Sequence, residues 1–230
     1  MKKLILSAAF VAVAILPTSA AYNQYWQQGY INYTPVKDKD SLWNPLSLSI
    51  SEDYRYDEQK LYYFEHFLMA NYRLCPYFGL SIGYVYARNR PGHAGSFKTE
   101  NRYEIDANFY APEFWTLKFD CRMRMEFRNI QGSQMYNRYR VRPKIGTSWS
   151  VTDFKISPYV SNEFFFSNKP DTDKEEVYDH NRLQVGFNFK PFPERVKDLS
   201  ACLYYQALYD INAGSPTHWN CYCLSFTYKF

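Results

Sequence analysis

From about residue 24 onward, apolar and polar side chains alternate almost without interruption, and the alternation keeps one chemistry. In Lys118–Asn129, KFDCRMRMEFRN, every second position is polar: Lys118, Asp120, Arg122, Arg124, Glu126 and Arg128. Phe119, Cys121, Met123, Met125 and Phe127 fill the gaps. A period of two puts the two sets on opposite faces of one β-strand. The same division recurs in NRYEIDANF, where Arg102, Glu104, Asp106 and Asn108 oppose Tyr103, Ile105, Ala107 and Phe109. In NRYRVRPKI, Arg138, Arg140, Arg142 and Lys144 oppose Tyr139, Val141, Pro143 and Ile145. The pattern predicts strands at about 24–33, 45–57, 60–73, 77–90, 98–110, 115–129, 134–148, 155–167, 177–191, 199–211 and 218–230. Turn residues separate them, as in NRPGHAGS, NIQGSQ and NAGSPTH. No amphipathic helix of useful length, linker or low-complexity tract interrupts the series, so the expectation is one all-β domain.

Alternation alone does not say which face is wet. A soluble barrel would hide the apolar face, whereas a membrane barrel turns it to lipid and keeps a polar interior. Three features favour the second arrangement. Tyr222, Leu224, Phe226, Tyr228 and Phe230 form an unbroken apolar stripe ending in a C-terminal phenylalanine. That stripe resembles the insertion signal that barrel-assembly machinery reads in bacterial outer-membrane proteins. The predicted strands exceed the roughly nine to eleven residues that a tilted strand needs to cross a bilayer. Short connections (75–77, 111–114, 151–154) also alternate with longer ones (90–98, 129–135, 168–177, 212–218), as tight periplasmic turns alternate with outer loops. The fold expected is an antiparallel transmembrane β-barrel of about 10 strands, or 12, with a polar lumen. If the longer loops lie outside, the last strand descends and segment 24–33 becomes an odd eleventh strand starting outside. Because bacterial barrels usually have even strand numbers, residues 22–44 are expected to be an extra strand, a plug or one of a hidden pair, with the barrel proper at 45–230.

Composition sharpens this reading. Aromatics make up 20% of the 230 residues, led by 23 Tyr and 18 Phe, and both favour strands and apolar–water boundaries. Mean hydropathy is −0.52, the polar average expected when two faces are mixed. Residues 1–21 stand apart: Lys2 and Lys3 precede the apolar run Leu4–Leu16 and the small residues Ser19, Ala20 and Ala21. They read as a secretory signal peptide, so the chain is expected to leave the cytoplasm, and the barrel pattern then places it in the outer membrane of a Gram-negative-type envelope. Without Lys2 and Lys3 the formal charge falls from +4 to +2, so overall basicity does not point to nucleic acid. The expected surroundings are outer-membrane lipid.

A succession of segments adds a resemblance. WQQGY, DYRYD, GYVYARN, ENRYEIDA, RMRMEFR, NRYRVRPKI, YVSNEFFF and NRLQVGFNF follow in that order. Together they resemble the bacterial outer-membrane barrel family catalogued as domain of unknown function 2490. The resemblance implies a fold and a location, and no activity.

The interior positions carry the candidate chemistry. On 115–129 and 134–148 they present eight cations, Lys118, Arg122, Arg124, Arg128, Arg138, Arg140, Arg142 and Lys144, against two anions, Asp120 and Glu126. The first function this suggests is a scaffold barrel whose lumen is filled by Arg–carboxylate pairs, for which the planar guanidinium is well suited. The alternative is a small channel for anionic solutes or oligosaccharides, since a basic wall in a narrow pore concentrates anions. The permeation candidates are Arg122, Arg124, Glu126, Arg128, Arg138, Arg140, Arg142 and Lys144. A minor alternative is an acyl-chain hydrolase or transferase, but His66, His93, His180 and His218 fall in no recognised catalytic motif, and no catalytic residue is assigned. The five cysteines include Cys221 and Cys223 on one strand face with Cys202 on the preceding strand, as packed thiols or a disulfide. With no nearby His pair they are a poor metal signature, and no cofactor is expected. The tryptophans (26, 43, 115, 149, 219) fall at predicted strand ends, where an interfacial belt would lie.

Overall fold

The computed structural model describes residues 23–230 apart from 37–41, 43–44, 58–59, 91–94, 148, 152–153, 169–176, 193–195, 197 and 211–216. The expected signal peptide lies outside the described residues. The strands are β1 (Asn23–Tyr33), β2 (Leu46–Asp57), β3 (Lys60–Cys75), β4 (Phe78–Asn89), β5 (Lys98–Tyr110), β6 (Leu117–Ile130), β7 (Tyr136–Thr147), β8 (Trp149–Val151), β9 (Phe154–Asn168), β10 (Val177–Phe189), β11 (Leu199–Asp210) and β12 (Thr217–Lys229). Each sits within a few residues of a predicted span except β8, for which none was expected.

The strands close into a barrel of eleven staves, because three-residue β8 pairs only with β9 and continues the line of β7. The count falls between the ten and twelve expected. Segment 24–33 is no plug: β1 pairs antiparallel with β2 over ten positions and parallel with β12 over ten more. The direction of the chain requires this. Hairpins reverse direction at every step, so an odd number of staves leaves the first and last running the same way. Only a parallel ladder can then close the wall, although parallel pairing is slightly weaker per residue. Closure removes every long unpaired edge.

The wall is inside-out relative to a soluble protein. Ile82, Tyr103, Ile50 and Leu68 are more than half exposed on the outer surface, while Glu104, Glu126, Glu163 and Gln206 are at most 1% exposed within the barrel. This is the surface pattern of a transmembrane barrel. Outward aromatic pairs stud this surface, among them Tyr84–Tyr103 at mid-strand and Phe78–Phe109 at the short-turn end. The C-terminal stripe faces outward, with Tyr222, Leu224 and Phe226 exposed between buried Cys221, Cys223 and Ser225. The tryptophans fit a belt less well than their positions suggested. Trp26 points into the barrel and is 5% exposed, because it shares a strand face with Gln24 and Gln28. Trp115 is exposed in the Ala111–Thr116 turn, and the side chains of Trp43, Trp149 and Trp219 lie outside the described residues.

The interior is not uniformly polar. Trp26, Tyr204, Cys221 and Cys223 pack with Tyr159 and Cys202 along the seam where β11, β12 and β1 meet. All five cysteines are free thiols. Tyr204 fits because its cross-strand neighbour is Gly186: a Cβ there would lie 2.3 Å from the Tyr204 Cβ and 2.7 Å from the Leu203 carbonyl oxygen. Gly29, on the outer face of β1, has nothing within 4 Å of the same construction. Gly186→Ala is therefore expected to destabilise the barrel by about 1–3 kcal/mol or more, the range of overpacking. Gly29→Ala should stay within about 0.5 kcal/mol of the parent. Denaturant titration in lipid vesicles, read by tryptophan fluorescence and heat-modifiable gel migration, separates the two.

Candidate functional site in the barrel lumen

The site is the lumen wall of β5, β6, β7, β9 and β10, where strand register sets arginines beside carboxylates. On β6 and β7, Arg124 stands opposite Arg140, Glu126 opposite Arg138 and Arg122 opposite Arg142. Like charges directly across a ladder repel, so each facing pair needs counter-charge from a third strand. The strands on either side supply most of it. β5 brings Glu104 and Asp106 to Arg124: Asp106 accepts two hydrogen bonds, from Nε at 2.7 Å and Nη2 at 2.8 Å, and Glu104 pairs with Nη1. Arg140 is held between Glu126, at 2.6 Å, and Glu163 of β9, at 2.8 Å. Glu126 also takes Arg138 at 2.6 Å.

The pairs link into two chains. In the first, Glu100 joins Arg128 (2.6 Å) to Arg102 (2.8 Å), and Arg102 continues to Glu104 at 3.2 Å and Glu65 at 3.6 Å. In the second, Glu163 receives Arg122 at 2.7 Å, Arg140 and Arg182. Glu163 is fully buried, so three guanidiniums share one carboxylate. Aromatic faces relieve some of the crowding. Phe165, 2% exposed, presents its ring to Arg140, Arg182 and Arg138 at 4.8, 5.1 and 5.2 Å, and His180 stacks on the same ring at 4.0 Å. Arg55 lies between Trp26 and Tyr63, 3.9 and 4.0 Å from the ring centroids, and pairs with Asp53 at 2.8 Å. Such contacts favour cations in a desolvated site.

Of the eight expected wall cations, the six arginines line one lumenal cavity. Lys118 sits at the rim, half exposed and 3.6 Å from Glu113 of the adjoining turn. Lys144 reaches Asp120 at 3.8 Å and the ring of Tyr159 at 4.9 Å. The expected excess of charge is largely cancelled, because Glu100, Glu104, Asp106 and Glu163 come from strands that sequence proximity did not assign to the same wall. Arg142 alone among the six arginines has no carboxylate within 4 Å among the described residues.

Small polar side chains occupy part of the remaining wall, Ser47, Ser49 and Ser51 on β2, Asn71 on β3, Ser81 on β4 and Asn108 on β5, beside the larger Phe67 and Met69. They hydrogen-bond along the wall, Asn71 to Ser49 at 3.1 Å, Ser49 to Asn32 at 2.6 Å and Asn108 to Ser81 at 3.3 Å. Being short, they leave the lumen open beside them, and a cavity of about 1680 Å³ results. His66 is on the outer surface, 3.3 Å from Glu52, and His93 and His218 lie outside the described residues, as do their surroundings.

Comparison with known proteins places the chain in a family. The signature of the family described as protein of unknown function DUF2490 matches residues 23–215, and the chain belongs to that family. Its sequence matches no curated protein. Among solved structures it is similar to LpxR from Salmonella typhimurium, at 9% identity and a TM-score of 0.41, covering 76% of this chain and 80% of that one.

The three-to-one arrangement at Glu163 generates an expectation. Glu163→Gln leaves Arg122, Arg140 and Arg182 without their shared anion and should cost about 3 kcal/mol, as removal of one partner from a buried pair does. Lys118→Gln, at the exposed rim, should be nearly neutral. Denaturant unfolding of the two variants in vesicles checks the contrast.

Proposed function

We propose that the protein is an integral outer-membrane barrel whose lumen is a narrow hydrated path for small polar solutes, with a preference for anions. The ion-paired wall of β5–β10 holds the shape, and the serine- and asparagine-lined wall of β2–β5 leaves the passage. The observation that carries this reading is the extent of the cavity. Its lining runs from Thr34, Leu46, Tyr110 and Lys229 at the short-turn end to Asn89, Arg90 and His180 at the long-loop end. Its volume of about 1680 Å³ corresponds to roughly fifty waters at about 30 Å³ each. A preference for anions follows from the residual positive charge on β6, β7 and β10. Outward placement of the apolar face supports the membrane setting, and the exposed stripe ending at Phe230 is the segment we assign to recognition by the assembly machinery.

A second reading is a sealed scaffold barrel. It is favoured by one feature: Glu104, Glu126 and Glu163 have essentially no exposure, so the charged layer is packed tightly on its own side. Planar-bilayer recording decides between the two. Under the channel reading, purified protein gives small, stable conductance steps with reversal potentials displaced toward the anion. Ser49→Trp combined with Ser81→Trp, which bulks the small-residue wall, should cut the step by half or more. Folded protein that gives no steps above the empty-membrane baseline would identify the sealed barrel.

A further inference from the structure

We infer that Arg122 and Arg142 form an oxyanion-binding subsite in the lumen wall, taking the carboxylate or phosphate group of a small solute. The inference deepens the hydrated-path reading, since solute must reach the lumen, but it concerns equilibrium binding and does not require through-conduction.

The two facing arginine pairs of β6 and β7 are treated differently by the fold. Arg124 and Arg140 face each other and are neutralised from both flanks, by Glu104 and Asp106 on one side and Glu126 and Glu163 on the other. Arg122 and Arg142 face each other one step nearer the short-turn end. Arg122 receives only a share of one Glu163 oxygen, at 2.7 Å, and Arg140 contacts that same oxygen. Arg142 receives no ion pair. The Nε of each is buried and has no hydrogen-bond partner. A guanidinium offers five donors in a fixed plane, and leaving one buried and unsatisfied is costly. Two such groups directly opposed across a ladder add mutual repulsion. An oxyanion beside them would offset the repulsion, accepting from the guanidinium edges that line the lumen in the planar geometry that arginine favours.

The surroundings fit such a ligand. Both residues line the cavity, so a solute reaches them from the lumen. Tyr30 and Tyr159 line the same cavity, their hydroxyls engaged with Gln28 at 3.3 Å and with the Cys202 thiol at 3.5 Å. Charge bookkeeping agrees. With Lys144 and Asp120 cancelling, β6, β7, β9 and β10 carry Arg122, Arg124, Arg128, Arg138, Arg140, Arg142 and Arg182 against Glu126 and Glu163, an excess of five. Of the charges named above, β2, β3 and β5 carry Arg55 and Arg102 against Asp53, Glu65, Glu100, Glu104 and Asp106, a deficit of three. The field across the lumen therefore drives an anion toward Arg122 and Arg142.

The test is binding to the full barrel in detergent micelles, by calorimetric titration with inorganic phosphate and, separately, with D-glucuronate. Saturable binding of at least one of these probes is expected, weakening with added chloride. Arg142→Gln and Arg122→Gln should each lower the affinity at least tenfold. Arg142→Lys, which keeps the charge but loses the planar fork, should lose at least threefold. Arg73→Gln at the short-turn end, where Arg73 bonds the carbonyl of Cys75, should stay within twofold. Heat-modifiable migration confirms that each variant is folded, and because Arg142 holds no ion pair, its glutamine variant is expected to be. If Arg122→Gln fails to fold, the Arg142 pair of variants decides alone. Absence of saturable binding to folded wild-type protein overturns the inference, and so does an affinity unchanged in Arg142→Gln. A null conductance result combined with arginine-dependent binding would refute the channel and leave the subsite standing.

Discussion

A sheet that meets hydrocarbon on one face can leave no backbone hydrogen bond unpaired at its edge, and the rest of this structure follows from that constraint. With eleven staves, hairpin reversal brings β1 and β12 together running the same way, so the wall must close through a parallel ladder. Ten paired positions on each side of β1 make it a full stave. Closure then fixes what is inside. Once the apolar faces turn outward, some two dozen charged and amide side chains share one narrow compartment, and their mutual satisfaction becomes the second condition for folding.

That condition is met by distributing carboxylates across strands. The charge of β6 and β7 is met only with help from strands on either side. β6 and β7 are cationic, β5 is anionic, and β9 contributes the single Glu163 on which three arginines converge. Phe165 and Trp26 place rings where a further carboxylate would otherwise be needed. The consequence is a lumen with two textures, one wall dense with paired ions and the other lined by Ser and Asn too short to reach the centre. The space beside the short side chains and the under-compensated Arg122–Arg142 pair belong to the same asymmetry.

Much of this was legible residue by residue. The alternation at Lys118–Asn129 located β6 to within two residues and assigned its inner face correctly, because a period of two admits only two assignments and the apolar C-terminal stripe selects one. The direction of the chain even pointed to an odd eleventh strand with its start at the long-loop end. The habit of even-numbered barrels argued against that strand, and the parallel seam explains why it belongs in the wall. Trp26 departs from the belt expected of strand ends, because its place between Gln24 and Gln28 puts it on the inner face. The surplus of eight cations over two anions on β6 and β7 is reduced by carboxylates that the neighbouring strands β5 and β9 supply. Glu100, Glu104 and Asp106 are visible in the alternation of β5, but their pairing with Arg124 and Arg128 depends on lateral register.

The sequence alone determined the all-β class, the strand boundaries and the identity of the inner face, because all three are properties of local periodicity and turn chemistry. The tertiary structure decided the number of staves, the parallel closure, which carboxylate serves which arginine and where space remains. Those outcomes depend on register between strands, and a shift of two residues in a ladder would keep every face unchanged while rearranging the ion pairs that cross it.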